Sequence, residues 1–549
     1  MPGALLAVVL SIVAVSPRGA VATAHPLASE AAAAVLREGG NAADAAVAAA
    51  FALSVVEPQS SGVGGGGFAL VYVAKERRVH VLDFRETAPA AATPTMFAKP
   101  AEGTHPSLDG GLAVATPGAV KGYALLARRF GTRPLPALVE PAARLAERGF
   151  RVGPVYVAAA KERLACLRAD PASAREFLAN GKDVPEPGWR LVRKEKAATL
   201  RALGRDPEAF YRGPLAARIA AAARLRGGIL DAKDLAGYAV REREPLEGTY
   251  RGHRILSMPP PSAGGAIAIG LLQALEGEDP RAGGYRPERW LHAMAEISKR
   301  LYARRGGLLG DPDLVETALP AAREMTTPAF AKVLREAVGE RATPSTEVPA
   351  PQKDGHTTHL SVVDAEGNAV SLTTTVNYYF GACVVVPGTG ILLNDEMDDF
   401  DAAPGVPNVY GLVGTVANAP APGKRPLSSM APTFVLDPQG RLLLALGAPG
   451  GSTIPTTVAQ AIVHVIDDGM RLDEALAAPR VHHQWLPDRI RVEPNGLDAA
   501  TVHALEARGH VIEVAKRRWG NATAVRVDPE TGWREAATDP RYEGAPAAP

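Results

Sequence analysis

Hydrophobic and polar positions change period several times along the 549 residues, and each change predicts a different element. Residues 4–15 are an apolar run of the length of a signal-peptide core, but no Lys or Arg precedes it and Pro17 follows directly on Ser16. A degenerate export signal over 1–18 and a plain buried N-terminal strand both fit this run. From His25 to Pro58 the pattern reads as two Ala-rich helices, the first ending at Gly39-Gly40 and the second starting from Asn41 with Asp44 three residues on. The glycines of Ser60–Phe68 then lead into alternating strands at Ala69–Val73 and Val79–Phe84. That run lacks the spacings of a nucleotide-binding loop, so tight sheet packing is the expected use of its glycines.

From about 118 to 340 the period is mostly helical, as in Leu135–Arg148 and Trp290–Arg305. Residues 343–355 are Pro-rich and polar, the composition of an exposed, slack connector. After it Leu360–Asp364, a turn at 365–368 and Ala369–Val376 predict a β-hairpin, and strands are expected again at Thr433–Leu436 and Leu442–Leu446. No internal repeat is visible. Helices lying between two blocks of strands predict an α+β protein of stacked layers.

The length allows three or four ordinary domains or one large layered enzyme. Sixty Lys plus Arg against 59 Asp plus Glu give a net charge of +1, so no global field favours nucleic acid or an anionic membrane, and partners must be sought at local sites. With 46% hydrophobic residues and no further run long enough to span a bilayer, a soluble globular chain is expected. The two cysteines, Cys166 and Cys383, match no metal spacing and lie too far apart to suggest a disulfide framework.

His356-Thr357-Thr358-His359 is the place where chemistry is expected, because a slack connector there delivers a threonine to a strand edge. A Thr pair by itself reflects β-propensity more often than catalysis. The chemical alternative is a threonine that becomes a chain N-terminus, whose α-amine, with a pKa of about 7.7–8.0, can act as base for its own hydroxyl.

Around this junction stand SVVDAEGNAVS, GILLNDEMDDF (390–400), PGVPNVYGLVG (404–414), KRPLSSMAPT (424–433) and GAPGGS (447–452). The front half adds EGGNAADAAVAAAFALSVVEPQSSGVGGGGF (38–68), DFRETAPA (83–90) and SMPPPSAGG (257–265). Together these blocks resemble the γ-glutamyltransferases, also called γ-glutamyl transpeptidases, over about residues 19–490. The resemblance implies an N-terminal nucleophile hydrolase fold, a four-layer αββα sandwich made as one precursor. Self-cleavage between His356 and Thr357 would leave a large subunit, 19–356, and a small catalytic subunit, 357–549. With only two cysteines available, the halves are expected to stay together without a disulfide.

Carried over residue by residue, the family pattern makes Thr357 the nucleophile and Thr375 the residue that orients its terminus. Gly450 and Gly451 would hold the oxyanion. Asn377, Glu396 and Asp399 would receive the substrate ammonium, and Arg85 with Ser428 and Ser429 the α-carboxylate. Residues 401–423 match the family's lid loop, with Tyr410 as gating residue. His359 and the pair His482-His483 read as structural, since adjacent strand residues face opposite ways. The implied activity is transfer of the γ-glutamyl group of glutathione and related amides to water, amino acids or peptides, with no cofactor, metal or nucleic acid. The alternatives are a glutaryl or cephalosporin-type acylase of the same fold, and an uncleaved binding homologue. Periplasmic or secreted placement is expected, with the cytoplasm left open by the atypical leader.

Overall fold

The computed structural model describes residues 13–281, 287–347, 356–401 and 415–549. Two seven-stranded sheets form its middle. The first runs in spatial order Ala545–Ala547, Gly19–Thr23, His356–Asp364, Ala369–Asn377, Gly66–Val73, Arg78–Asp83, Arg241–Arg243. The second runs Val13–Ser16, Arg534–Thr538, Thr523–Val527, Leu442–Gly447, Thr433–Leu436, His253–Ser257, Leu246–Tyr250. Neighbouring strands in both are antiparallel throughout.

Period-two alternation builds the layers. In Gly66–Val73, Ala69 and Val71 enter the core under the helical layer made by Pro26–Arg37, Ala42–Val56 and Leu135–Arg148, whereas Phe68, Leu70 and Tyr72 face the second sheet. The outer face of the second sheet is covered by helices Gly264–Leu275 and Ile454–Ile466. This is the four-layer αββα sandwich. Helix Ala42–Val56 is buried along its whole length, so its alanines let backbones approach closely on every side. Its start is fixed by the predicted Asn41–Asp44 capping box, and the buried Asp44 carboxylate also accepts from the Thr132 and Arg133 amides. Asp364, at the hairpin turn, accepts from Ala42 N at 3.0 Å, which ties the central hairpin to that helix.

Four findings differ from or refine the sequence reading. Val13–Ser16, the end of the apolar leader run and the residue after it, pair as an edge strand with Arg534–Thr538, while residues 4–12 lie outside the described residues. The helical stretch 118–340 is interrupted by the hairpin Leu246–Tyr250/His253–Ser257, which completes the second sheet. Its first strand alternates in burial, Leu246, Gly248 and Tyr250 inward, a period of two that the surrounding helical pattern hides. The connector is anchored at its start, because Ser345 Oγ donates to Trp485 O at 2.6 Å and Ser345 N to Asp488; residues 348–355 lie outside the described residues. Finally, the expectation of no disulfide is overturned: Cys166 and Cys383, 217 residues apart, are bonded with their Cα atoms 5.9 Å apart. Sequence distance gave no hint because the fold, not local spacing, brings them together. Among the described residues no helix is long and apolar enough to cross a membrane.

Candidate active site

Thr357 begins where strand pairing goes out of step. His356 pairs with Asn377 and Thr358 with Thr374, so Thr375 and Val376 both stand opposite the single Thr357. A bulge of this kind re-aims side chains at the end of a ladder. Here it turns Thr357, 8% exposed, and Thr375 into one narrow pocket, with a cavity volume of about 20 Å³. Arg85, Asn377, Glu396, Asp399, Ser428, Ser429 and Gly451 also line it, as do Arg305, Met430 and Ile454. The structure therefore gathers nearly all the expected residues. Gly450 precedes Gly451 outside the lining, and Tyr410 lies outside the described residues.

Each wall has a local cause. Thr375 Oγ1 accepts from Asn377 N at 2.7 Å, and Asn377 Nδ2 donates to Asp395 O at 3.1 Å, which leaves its amide oxygen as the group available for a ligand ammonium. Asn394, which the sequence reading passed over, is saturated: its Nδ2 donates to Gly64 O and Ala115 O while its Oδ1 accepts from Glu396 N and Ala115 N. It thereby holds the acidic turn Glu396–Asp399 against the glycine run. The glycines matter at Gly66, where a Cβ would stand 2.5 Å from Glu86 Oε2. The SMPPPSAGG block grips the serines, with Ser428 N donating to Pro261 O and Ala263 N to Ser428 O. Gly450 and Gly451 have φ of 130° and 56°, the region that favours glycine, and they lead into helix Ile454–Ile466.

The charges show an arrangement that motifs alone do not reveal. Arg85, 1% exposed, is paired with both Glu396 and Asp399, and its Nε donates to Pro426 O at 3.2 Å. The cation expected for a carboxylate and the anions expected for an ammonium thus satisfy one another in the pocket, as buried charges must. Glu86 stands 3.8 Å from Arg85 Nη1 and is fully buried. Burial, with the neighbouring Glu396 charge, pushes its carboxyl well above the usual range, and burial also raises Glu396 against the opposing pull of Arg85. Arg305, on helix Glu288–Leu308, adds a second cation to the lining. Neither Glu86 nor Arg305 was singled out in the sequence. A clue to Arg305 was there: ionisable residues recur on a helix whose pattern is otherwise that of a core.

The histidines are structural. His359 bonds Thr373 Oγ1 through Nδ1 at 2.8 Å, and burial lowers its pKa to about 3, so it stays neutral. His482 bonds Thr456, and the Asp488 carboxylate stands 3.3 Å from His483.

Against known proteins, the family description Gamma-glutamyltranspeptidase matches residues 28–548. The glutathione hydrolase proenzyme of Escherichia coli K12 is 42% identical over 532 residues, covering 95% of this chain and 90% of that protein. The acylase ACY 1 proenzyme of Pseudomonas sp. SE83 is 39% identical over 541 residues, covering 97% of this chain and 93% of that one. Among solved structures, the cephalosporin acylase from Bacillus halodurans superposes with a TM-score of 0.86 at 30% identity, over 98% of this chain and 96% of that one. The Thr357 strand, the glycine-rich turn and the Arg85–Glu396–Asp399 charge set thus sit on a sandwich shared with the solved acylase, and the family match covers nearly the whole length: the chain belongs to the gamma-glutamyltranspeptidase family.

Proposed function

We propose that this enzyme cuts itself between His356 and Thr357 and then transfers the γ-glutamyl group of glutathione-like donors to water or to an amine. The observation that carries this reading is the joining of Thr357 with Arg85, Glu396, Asp399 and Asn377 in one pocket. A glutamyl head group brings one carboxylate and one ammonium. It can exchange into the closed Arg85–Glu396–Asp399 cluster with the total charge unchanged, the carboxylate taking Arg85 and the ammonium the two acids. A glutaryl group brings a carboxylate alone and would leave the two acids repelling it. That difference favours γ-glutamyl donors over the acylase alternative, although acylases stand among the relatives.

In the uncut chain the nitrogen of Thr357 belongs to a peptide bond and cannot act as base. Attack of its hydroxyl on the His356 carbonyl forms an ester as the peptide C–N bond breaks and its nitrogen takes up a proton, which frees the amine; water then hydrolyses the ester, releasing the Thr357 hydroxyl and the His356 carboxylate. In turnover that amine takes the hydroxyl proton as Oγ1 attacks the donor's γ-carbonyl. The Gly450 and Gly451 amides receive the oxyanion, the C–N bond breaks, and the departing amine takes the proton. Water or an acceptor amine then attacks the Thr357 ester. The halves proposed are residues up to His356 and from Thr357 onward.

Thr357→Ala should abolish both cleavage and turnover. Cleavage at this junction in that variant would sink the reading. Kinetics with γ-glutamyl and glutaryl anilides decide the donor, and a higher kcat/KM for the glutaryl compound would turn the assignment towards an acylase.

A further inference from the structure

Cys166 and Cys383 fall on opposite sides of the His356–Thr357 junction, and both lie outside the pocket lining. Cys166 sits on the short helix Leu164–Ala169 of the outer helical layer. Cys383 closes the turn that follows Asn377. That turn is irregular, with φ of 74° at Asn377, 58° at Phe380 and 54° at Cys383, and it is gripped by the helical layer from several directions. Arg163 donates to Tyr379 O at 3.0 Å and Gly381 O at 2.9 Å. Ser173 Oγ donates to Cys383 O at 2.7 Å, and the Phe380 ring packs edge-on against Tyr156. Every gripping residue precedes the junction and every gripped one follows it.

We propose that the Cys166–Cys383 disulfide is the covalent clasp between the two products of self-cleavage, and that it pins the turn from which Asn377 enters the pocket. The inference rests on the proposed cleavage, since without it the bond is an ordinary intrachain link. Formation is a two-electron oxidation. Two thiols pass two electrons and two protons to an oxidising disulfide of a partner, which leaves as a dithiol, while one S–S bond forms here. Because the cut chains can no longer be reunited by a peptide bond, the clasp keeps their encounter intramolecular whenever the sandwich opens locally. Asp109 lies close enough to both sulfurs that the same three residues could instead hold a metal ion as free thiolates, and the test separates the two.

The test is denaturing electrophoresis of the enzyme produced under oxidising conditions, with free thiols alkylated, run with and without a dithiol reductant. The expected result is one band near 57.3 kDa without reductant and two bands with it. Cys166→Ser should give two bands in both lanes. Thermal inactivation of the wild type should quicken roughly tenfold on adding reductant, and that of Cys166→Ser should not change. Two bands in both lanes for the wild type would overturn the clasp while leaving self-cleavage standing. If a divalent metal is released on denaturation as well, the three residues are a metal site. One band in both lanes would instead overturn the cleavage, and with it the interchain role.

Discussion

Glu86 and Asp399 both touch the Arg85 guanidinium's surroundings, yet they should answer mutation differently. Burial and the Glu396 charge push the Glu86 carboxyl well above its usual range and so favour its neutral form, which Glu86→Gln imitates in charge and shape. Its kcat/KM on a γ-glutamyl anilide is expected to stay within about threefold of wild type, under roughly 0.7 kcal/mol. Asp399→Asn removes a charge that the head-group exchange requires and should cost on the order of 2–5 kcal/mol in the same assay. Equal losses would mean that Glu86 is ionised. Glu57 allows a second test, of stability. Its carboxyl accepts from Thr358 Oγ1 at 2.6 Å, and burial pushes its pKa from 4.5 up to about 7. Because the folded value is the higher one, its contribution is complete below about pH 4.5 and is lost as pH rises through about 7. Glu57→Gln keeps an acceptor for Thr358 but does not titrate. The variant should gain in heat resistance over wild type between pH 5 and pH 8, by at most on the order of 3 kcal/mol. A constant difference across that range would exonerate Glu57.

At the scale of elements, the central hairpin was legible because everything that specifies it is local. Alternation, an Asp364–Asn368 turn and the Thr357 junction all lie within about twenty residues. The glycines at 450–451 came from the family resemblance, and their positive φ makes a prediction of its own. Gly451→Ala sets a Cβ on a residue with φ of 56° and disturbs the amide proposed to receive the oxyanion, so kcat should fall by about 10²–10³ with KM little changed. An unaltered kcat would place the oxyanion elsewhere. What could not be read was anything held across the sandwich. Arg85 meets Glu396 across 311 residues, and no local pattern announces that a cation and an anion of one motif set neutralise each other. The strands at 246–257 were lost inside helical surroundings. The role of Asn394 shows only in its four bonds, three of them to Gly64 and Ala115 of the front half.

For the molecule as a whole, the proposed cut runs through sheets that both halves share. In the first sheet His356–Asp364 and Ala369–Asn377 are inserted between Gly19–Thr23 and Gly66–Val73, and in the second His253–Ser257 pairs with Thr433–Leu436. Neither half has a complete sheet without the other. Ala545–Ala547 pairs with Gly19–Thr23, and the Pro549 carbonyl lies 3.4 Å from Arg18 Nη2, so the far end of the small half returns beside the start of the large one. Among the described residues the chain from Arg18 to Pro549 thus nearly closes on itself, and where such a chain is opened is a separate question from how it folds. A circularly permuted gene could begin at Thr357, continue past Pro549 into the N-terminal residues and stop at His356. Once its initiator methionine is removed, it would be born with the amine that the natural order must liberate by cutting. Such a permutant should turn over a γ-glutamyl anilide with no maturation lag; if it folds but stays inert, the act of cleavage shapes the pocket, and the amine alone is not enough.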